Sequence, residues 1–291
     1  MSDTPKKRIF TRIALVRLLA FFILLTLVYA GGSILIMFGA SRLPKDIKHL
    51  AELIGAVPLS LLMIGVYVLL VRWLERRKTP ELSLRRGIPL LLAGLVLAFL
   101  MFAAVYAVLW LHGNASWLGF TGTGGVIVMT AMALMSGVGE ELIFRGGVFR
   151  VLEDSLGTAF ALILSGVLFG ALHLVNPHAT LFGGAAIALE AGVLLGAAYA
   201  ATRNLWLPIG LHIGWNFTEG GVFGAAVSGG GAGHGIFNMP LTGPELLTGG
   251  AFGPEASVVA LVVCTAVGLY FVLCTIRRGR WVPASFHMML D

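Results

Sequence analysis

Charged residues are scarce in this chain. Asp, Glu, Lys and Arg make up 12% of its 291 residues, hydrophobic residues make up 58%, and the mean hydropathy is +0.93. Soluble domains carry about 25% charged residues. This composition therefore excludes a soluble domain and predicts an integral membrane protein.

Several chemical signatures are also missing. The two cysteines, Cys264 and Cys274, are too far apart along one predicted helix to bridge each other, which excludes an intrachain disulfide. The chain has neither the HExxH pattern of a zinc-binding helix nor the GxSxG turn of serine hydrolases. These absences disfavour a cysteine nucleophile and a serine nucleophile such as Ser136.

Long apolar runs are abundant. A helix needs about 20 apolar residues to cross the hydrocarbon core. Such runs lie at 17–39, 52–71, 88–111, 125–144, 158–175, 181–201, 209–227 and 256–276. We predict an all-α, polytopic membrane helix bundle with about eight transmembrane helices and a single domain over 1–291. The first run is too long for a signal peptide and lacks a convincing cleavage site, so we expect it to be retained.

The distribution of basic residues predicts the orientation. Lys and Arg are retained on the cytoplasmic side, and eight crossings put most of them there: Lys6, Lys7, Arg8, Arg12, Arg17, Arg72, Arg76, Arg77, Lys78, Arg85, Arg86, Arg145, Arg150, Arg203, Arg277, Arg278 and Arg280. Both termini are then cytoplasmic, and the glycine-rich stretch 228–256, which lacks Lys and Arg, is an outer loop. This bias also accounts for the pI of about 9.7, which in a soluble protein would suggest nucleic-acid binding. We therefore expect the lipid bilayer, and no nucleic acid, as a partner.

Polar clusters interrupt the later spans: Glu140-Glu141-x-x-x-Arg145, Phe169-x-x-x-His173 and His212-x-x-x-Asn216. Ionisable side chains in lipid are costly and mark functional sites. Glu140 and His173 lie on two antiparallel helices joined near residue 154, at depths that differ by only about 7 Å. His212 and Asn216 share one helix face in the same half of the bilayer. All four side chains are therefore compatible with one cavity.

Each polar residue also has a structural interpretation. Glu141 and Arg145, four residues apart, are most simply a neutralised pair. One Arg cannot easily neutralise two neighbouring carboxylates that point about 100° apart, so Glu140 is the candidate for a functional role. Each His and the Asn, taken alone, is equally compatible with hydrogen bonding between helices. The carboxylates Glu190 and Glu219 have no assigned partner. Two hypotheses apply to each of them: it supports the site, or it belongs to a proton path.

The order EExxxR, FxxxH, HxxxN resembles the CPBP, or Abi, family of intramembrane proteases, which includes the type II CAAX prenyl endopeptidases. The resemblance covers residues 120–220, and the loop 246–257 is similar to that of bacterial members. It implies an intramembrane endopeptidase, in a bacterial plasma membrane, that hydrolyses a membrane-associated peptide or protein of prenylated CAAX type or bacteriocin type.

The resemblance also implies roles for the motif residues. Burial makes a carboxylate a stronger base, so Glu140 is the candidate to activate water. By resemblance, His173 holds that water and His212 and Asn216 donate hydrogen bonds to the oxyanion. Glu141 and Arg145 would then fix the position of Glu140.

Other mechanisms and functions stay open at this point. Glu140, His173 and His212 are also a possible set of three zinc ligands, and whether a metal cofactor is needed is undecided, although the missing HExxH pattern favours a metal-independent reaction. A proton- or ion-coupled transporter has similar intramembrane carboxylates, but we find no internal repeat of the kind transporters often show. A non-catalytic membrane binding module is the third alternative.

Overall fold

We describe the protein from a computed structural model. It describes residues 5–231 and 235–284, with side chains from residue 14 onward. Residues 1–4, 232–234 and 285–291, which include both predicted cytoplasmic ends and part of the predicted outer loop, lie outside the described residues. The described chain forms nine helices: α1 (Pro5–Ala40), α2 (Lys45–Glu75), α3 (Leu84–Leu111), α4 (Val126–Leu156), α5 (Thr158–His173), α6 (Leu181–Thr202), α7 (Trp206–Asn216, continued by Phe217–Val222), α8 (Glu245–Thr248) and α9 (Val258–Arg277).

The helices confirm the all-α class and the multi-pass membrane character. Each of the eight predicted apolar runs contains a helix, although the run at 209–227 is helical only to Val222. Six of these helices are long and apolar enough to cross a membrane: α1, α2, α3, α4, α6 and α9. Helix α5 has 16 residues and α7 combines segments of 11 and 6. Both are shorter than the roughly 20 residues of a full crossing, so the count of eight crossings stays a prediction.

Helices α4, α6 and α7, which carry buried polar residues, contain π-helical segments. These segments are Leu142–Phe149 in α4, Ala188–Val193 in α6 and Phe217–Val222 in α7. A π-helical turn widens the backbone and leaves carbonyl groups outside the α-helical hydrogen-bond pattern. Because Arg145, Glu190 and Glu219 all lie within these segments, the irregular backbone coincides with the polar side chains in the bundle.

Glycines bring the helices into direct backbone contact. A Cβ atom added at Gly210 of α7 would lie 2.3 Å from the carbonyl oxygen of Leu91 in α3. A Cβ atom at Gly192 of α6 would lie 2.5 Å from the Cα atom of Gly166 in α5. Neither position has room for a larger residue, which explains the high glycine content as tight helix packing.

One end of the bundle is held together by ion pairs. Glu75 at the end of α2 accepts from Arg17 of α1 at 2.5 Å and lies 2.8 Å from Arg150 of α4. Arg203, which follows α6, pairs with Glu153 of α4. These residues come from the regions that the distribution of basic residues predicts to be cytoplasmic, so the predicted inner side is a single face of the bundle.

The opposite end carries the long loop after α7. Isolated β-bridges join Ala115 to Leu241 and Phe120 to Phe237, which ties this loop to the connection between α3 and α4. A 3₁₀ turn at Pro254–Ala256 then precedes α9 and buries Glu255 among the helices. In its described part, the predicted outer loop is therefore ordered and reaches into the bundle.

Candidate active site

The two neighbouring glutamates of α4 have different surroundings. Glu141 is fully buried, and its Oε1 accepts hydrogen bonds from Arg145 at 2.7 Å and from Nδ1 of His212 at 2.9 Å. The side chain of Glu140 is 20% exposed, and its Oε2 lies 3.9 Å from Nε2 of His212. The sequence prediction that one arginine cannot serve both carboxylates agrees with this arrangement, because Glu141 is the one of the two to which Arg145 hydrogen-bonds.

Arg145 connects α4 to α6 and α5. One of its terminal nitrogens donates to Glu141, and the other donates to the carbonyl oxygens of Ala191 at 2.5 Å and Gly192 at 3.3 Å. Its guanidinium lies 4.8 Å from the centre of the Phe169 ring, a favourable cation–π distance. The guanidinium is therefore compensated by one carboxylate, two carbonyls and an aromatic face.

His212 lies between the two carboxylates. Its Nδ1 donates to Glu141, which directs Nε2 towards Glu140. The sequence predicts that Glu141 and Arg145 fix the position of Glu140. In the structure the pair hydrogen-bonds to His212 and to the α6 backbone, so it orients the imidazole that lies beside Glu140.

His173 and Asn216 are each fixed by one hydrogen bond. Nδ1 of His173 donates to the carbonyl oxygen of Phe169 at 2.8 Å, which leaves Nε2 available. The side-chain amide of Asn216 donates to Oγ of Ser136 at 2.9 Å. Because an amide group has two N–H bonds, one donor of Asn216 remains for another acceptor. Ser136 serves as its acceptor and in turn donates to Met132.

Two cavities meet at His173. The first, which we call the inner cavity, has a volume of about 50 Å³, room for a few water molecules; its polar lining is His173, Glu190, His212, Asn216, Ser228 and Glu255. The second, the lateral cavity, has a volume of about 200 Å³ and is lined by α1, α4 and α5, including Tyr29, Glu140 and His173. His173 lines both cavities, and Nε2 of His212 faces Glu140 across the boundary. The structure thus brings the four predicted residues together.

Some residues of the site carry no signal in the sequence. The hydroxyl of Tyr29 in α1 lies 3.5 Å from Oε1 of Glu140, at the limit of a hydrogen bond. The Tyr29 ring packs on Gly139, where a Cβ atom would lie 2.5 Å from Cδ2 of the ring. A lone tyrosine in an otherwise apolar helix more than a hundred residues upstream cannot be connected to Glu140 by spacing alone. Ser228 and Glu255 of the long loop were missed for the same reason.

The site does not fit a metal ion as it stands. Within residues 5–231 and 235–284, no three His, Cys, Asp or Glu side chains are arranged to hold one. The set of Glu140, His173 and His212 therefore does not form a zinc site in this conformation, and we derive no reaction step through a metal.

Comparison with known proteins confirms the family resemblance. Residues 122–218 match the family described as "Type II CAAX prenyl endopeptidase Rce1-like", and every motif residue lies within this range. A segment of 90 residues is 28% identical to the protein named "Putative membrane peptidase YdiL" of Bacillus subtilis (strain 168), and it covers 31% of this chain and 34% of that protein. The chain thus matches about a third of this relative's length. No solved structure matches with significant similarity.

Proposed function

Because residues 122–218 carry the region characteristic of the Rce1-like type II CAAX prenyl endopeptidases, we propose that this chain is an intramembrane endopeptidase that uses water activated by Glu140. One observation carries the proposal. Glu140 is the motif carboxylate that has no Arg or Lys partner among the described residues, borders an open cavity and lies beside a histidine. A general base needs this combination of access and unsatisfied negative charge.

The reaction needs one water molecule and no covalent intermediate. Glu140 takes a proton from the water while the oxygen attacks the peptide carbonyl carbon, and the carbonyl oxygen becomes an oxyanion. When the C–N bond breaks, its electron pair stays on nitrogen, and the proton held by Glu140 passes to the leaving amine. His173 holds the water through Nε2.

Asn216 and His212 stabilise the oxyanion in this scheme. Asn216 donates its second amide N–H, and His212 donates through Nε2 when both ring nitrogens carry protons. Glu141 and Arg145 keep the imidazole of His212 in place. Preformed donors of this kind need no reorganisation during the reaction, which is the source of their catalytic effect.

The proposed substrate is a membrane-associated peptide or protein. Because some family members process CAAX proteins, a prenylated peptide is the first probe. A bacteriocin-like peptide is the second. We propose eight crossings with both termini in the cytoplasm of a bacterial cell. The ion-paired end of the bundle supports this orientation, since it gathers basic residues on one side.

The proposal is tested with purified protein in detergent. A library of prenylated CAAX-type and membrane-associated peptides is incubated with the protein, with and without a chelator, and cleavage is followed by mass spectrometry. Cleavage that persists with the chelator supports the glutamate mechanism, and cleavage lost with it favours a metal. Absence of cleavage together with proton-coupled flux in liposomes would favour a transporter.

Asn216 and Ser136 are expected to differ strongly in their effect on activity. Asn216→Ala should lower kcat by about 10²–10³-fold, the usual loss for one oxyanion donor. Ser136→Ala should lower it only a few-fold, because Ser136 merely accepts the hydrogen bond that orients Asn216. Steady-state kinetics of both variants distinguish these roles. Complete loss of activity in Ser136→Ala would instead identify a serine nucleophile.

Tyr29 is expected to be a positioning residue. Tyr29→Phe keeps the ring that packs on Gly139 but removes the hydroxyl near Glu140. Since a distance of 3.5 Å indicates a weak hydrogen bond, kcat should fall several-fold while KM and thermal stability stay unchanged. Tyr270→Phe, at an exposed tyrosine of α9, is the matched control. A loss of stability equal to the loss of activity would show that the hydroxyl is only structural.

A further inference from the structure

Three carboxylates outside the family motifs are buried next to the inner cavity. Glu190 of α6 is 4% exposed, Glu219 of α7 is 0% exposed, and Glu255 of the loop before α9 is 6% exposed. We call these three residues the acidic cluster. No Arg or Lys of the described residues forms an ion pair with any of them. Unpaired carboxylates are costly at such sites, so a positive partner or protons must compensate them.

Glu219 and Glu255 have different surroundings. Both carboxylate oxygens of Glu219 are buried without a hydrogen-bond partner among the described residues. Glu255 accepts a hydrogen bond from the backbone N–H of Ser228. Burial raises the pKa of Glu255, although this hydrogen bond and the nearby His173 oppose the shift. Of the two carboxylates, Glu255 is therefore the one with a hydrogen-bond donor among the described residues.

Glu190 is also incompletely compensated. Its Oε1 is buried without a hydrogen-bond partner among the described residues, and its side chain lines the inner cavity together with Glu255. The same lining includes the aliphatic side chains of Ile187, Leu194 and Leu195. An aliphatic wall that ends at carboxylates fits a side chain with an apolar stem and a cationic head.

We propose that the acidic cluster is a specificity site for a basic substrate side chain, whose ammonium or guanidinium group binds Glu190 and Glu255. The inference rests on the proposed peptidase function and names a substrate class for it. The stem of a lysine or arginine contacts the aliphatic residues, and its positive charge supplies the missing compensation. Since the same cavity is lined by His212 and Asn216, the bound basic residue lies close to the bond that is cleaved.

The site is tested first by binding, which needs no cleavage. n-Pentylammonium, which has the stem and charge of a lysine side chain, and the neutral 1-pentanol are titrated into purified protein by calorimetry. The ammonium should bind the unaltered protein, and Glu190→Gln should weaken it by at least about tenfold. Binding of the alcohol should not change with the substitution. Glu245→Gln, at an exposed glutamate of the loop, should bind like the unaltered protein.

Glu255→Gln is the second variant, in case Glu190→Gln fails to fold. It should also weaken ammonium binding, because Glu255 lines the same cavity. Equal binding of ammonium and alcohol, or ammonium binding that neither substitution changes, would overturn the site. The acidic cluster would then hold protons alone.

Cleavage distinguishes this inference from the proposed function. Peptides that carry lysine at each position around the cleaved bond are compared with the same peptides carrying norleucine. The lysine peptides should be preferred by at least about tenfold, and Glu190→Gln should remove the preference. Cleavage without a lysine preference would refute the specificity site but still support the proposed peptidase function. Ammonium binding in a protein that cleaves nothing would support the site and refute the peptidase.

Discussion

Glu140→Gln is expected to lower kcat for peptide cleavage by roughly 10²–10⁴-fold, the contribution of a general base. Glutamine keeps the shape of the side chain and its contact with Tyr29, but its amide oxygen cannot take a proton from water at neutral pH. The protein should fold as before, because Glu140 has no ion pair with Arg or Lys among the described residues and its side chain is partly exposed. The measurement is steady-state cleavage of the best peptide of the library.

Glu245→Gln is the control for Glu140→Gln, since it removes one carboxylate from the exposed loop. It should leave kcat unchanged. If Glu140→Gln is nearly as active as the unaltered protein, the proposed mechanism is contradicted. The metal-dependent alternative would then be favoured. Loss of activity with loss of folding, seen as a lower melting temperature, would contradict the assignment of Glu140 as a residue used only in catalysis.

Arg145→Met is expected to destabilise the protein by about 3–5 kcal/mol, the usual cost of removing one partner of a buried ion pair. Methionine has a similar length and suits lipid. Among the described residues, the substitution leaves the buried Glu141 with His212 as its hydrogen-bond partner and leaves the carbonyls of Ala191 and Gly192 without the guanidinium donor. The free energy of unfolding, measured by denaturant titration in mixed micelles, should show the loss directly.

The double variant Glu141→Gln, Arg145→Met tests the origin of this loss. Without the carboxylate, the missing guanidinium leaves no uncompensated charge, so much of the lost stability should return. Activity should stay low, because His212 no longer has a carboxylate to orient its ring. Effects of the two substitutions that simply add would contradict the coupling of Glu141 to Arg145.

The helical part of the fold could be predicted because lipid imposes a simple rule on the sequence. Long apolar runs must be helices, and each of the eight predicted runs contains one. The number of crossings is harder to predict, because α5 and α7 are shorter than a full crossing. Apolar length therefore indicates where the helices lie but cannot indicate how deeply each one extends.

The candidate site divides into a predictable and an unpredictable part. Spacing along single helices linked Glu141 to Arg145, and the helix turns suggested that Glu140, His173 and His212 would converge. The contact of Tyr29 with Glu140 and the burial of Glu255 depend on segments far apart in the chain. Such contacts follow from the arrangement of whole helices and loops, which local periodicity does not describe.

The π-helical segments determine how their helices would respond to a change in chain length. A π-helical turn holds one hydrogen-bonded residue more than an α-helical turn, so losing one residue there would let the helix close into a regular α-helix. The residues beyond the closed turn would keep nearly their original facing, because the wider turn had accommodated the extra residue. A one-residue deletion in a regular α-helical stretch would instead rotate every later residue by about 100°. In α4, α6 and α7, a one-residue deletion should therefore disturb the later side chains less inside the π-helical segments than outside them.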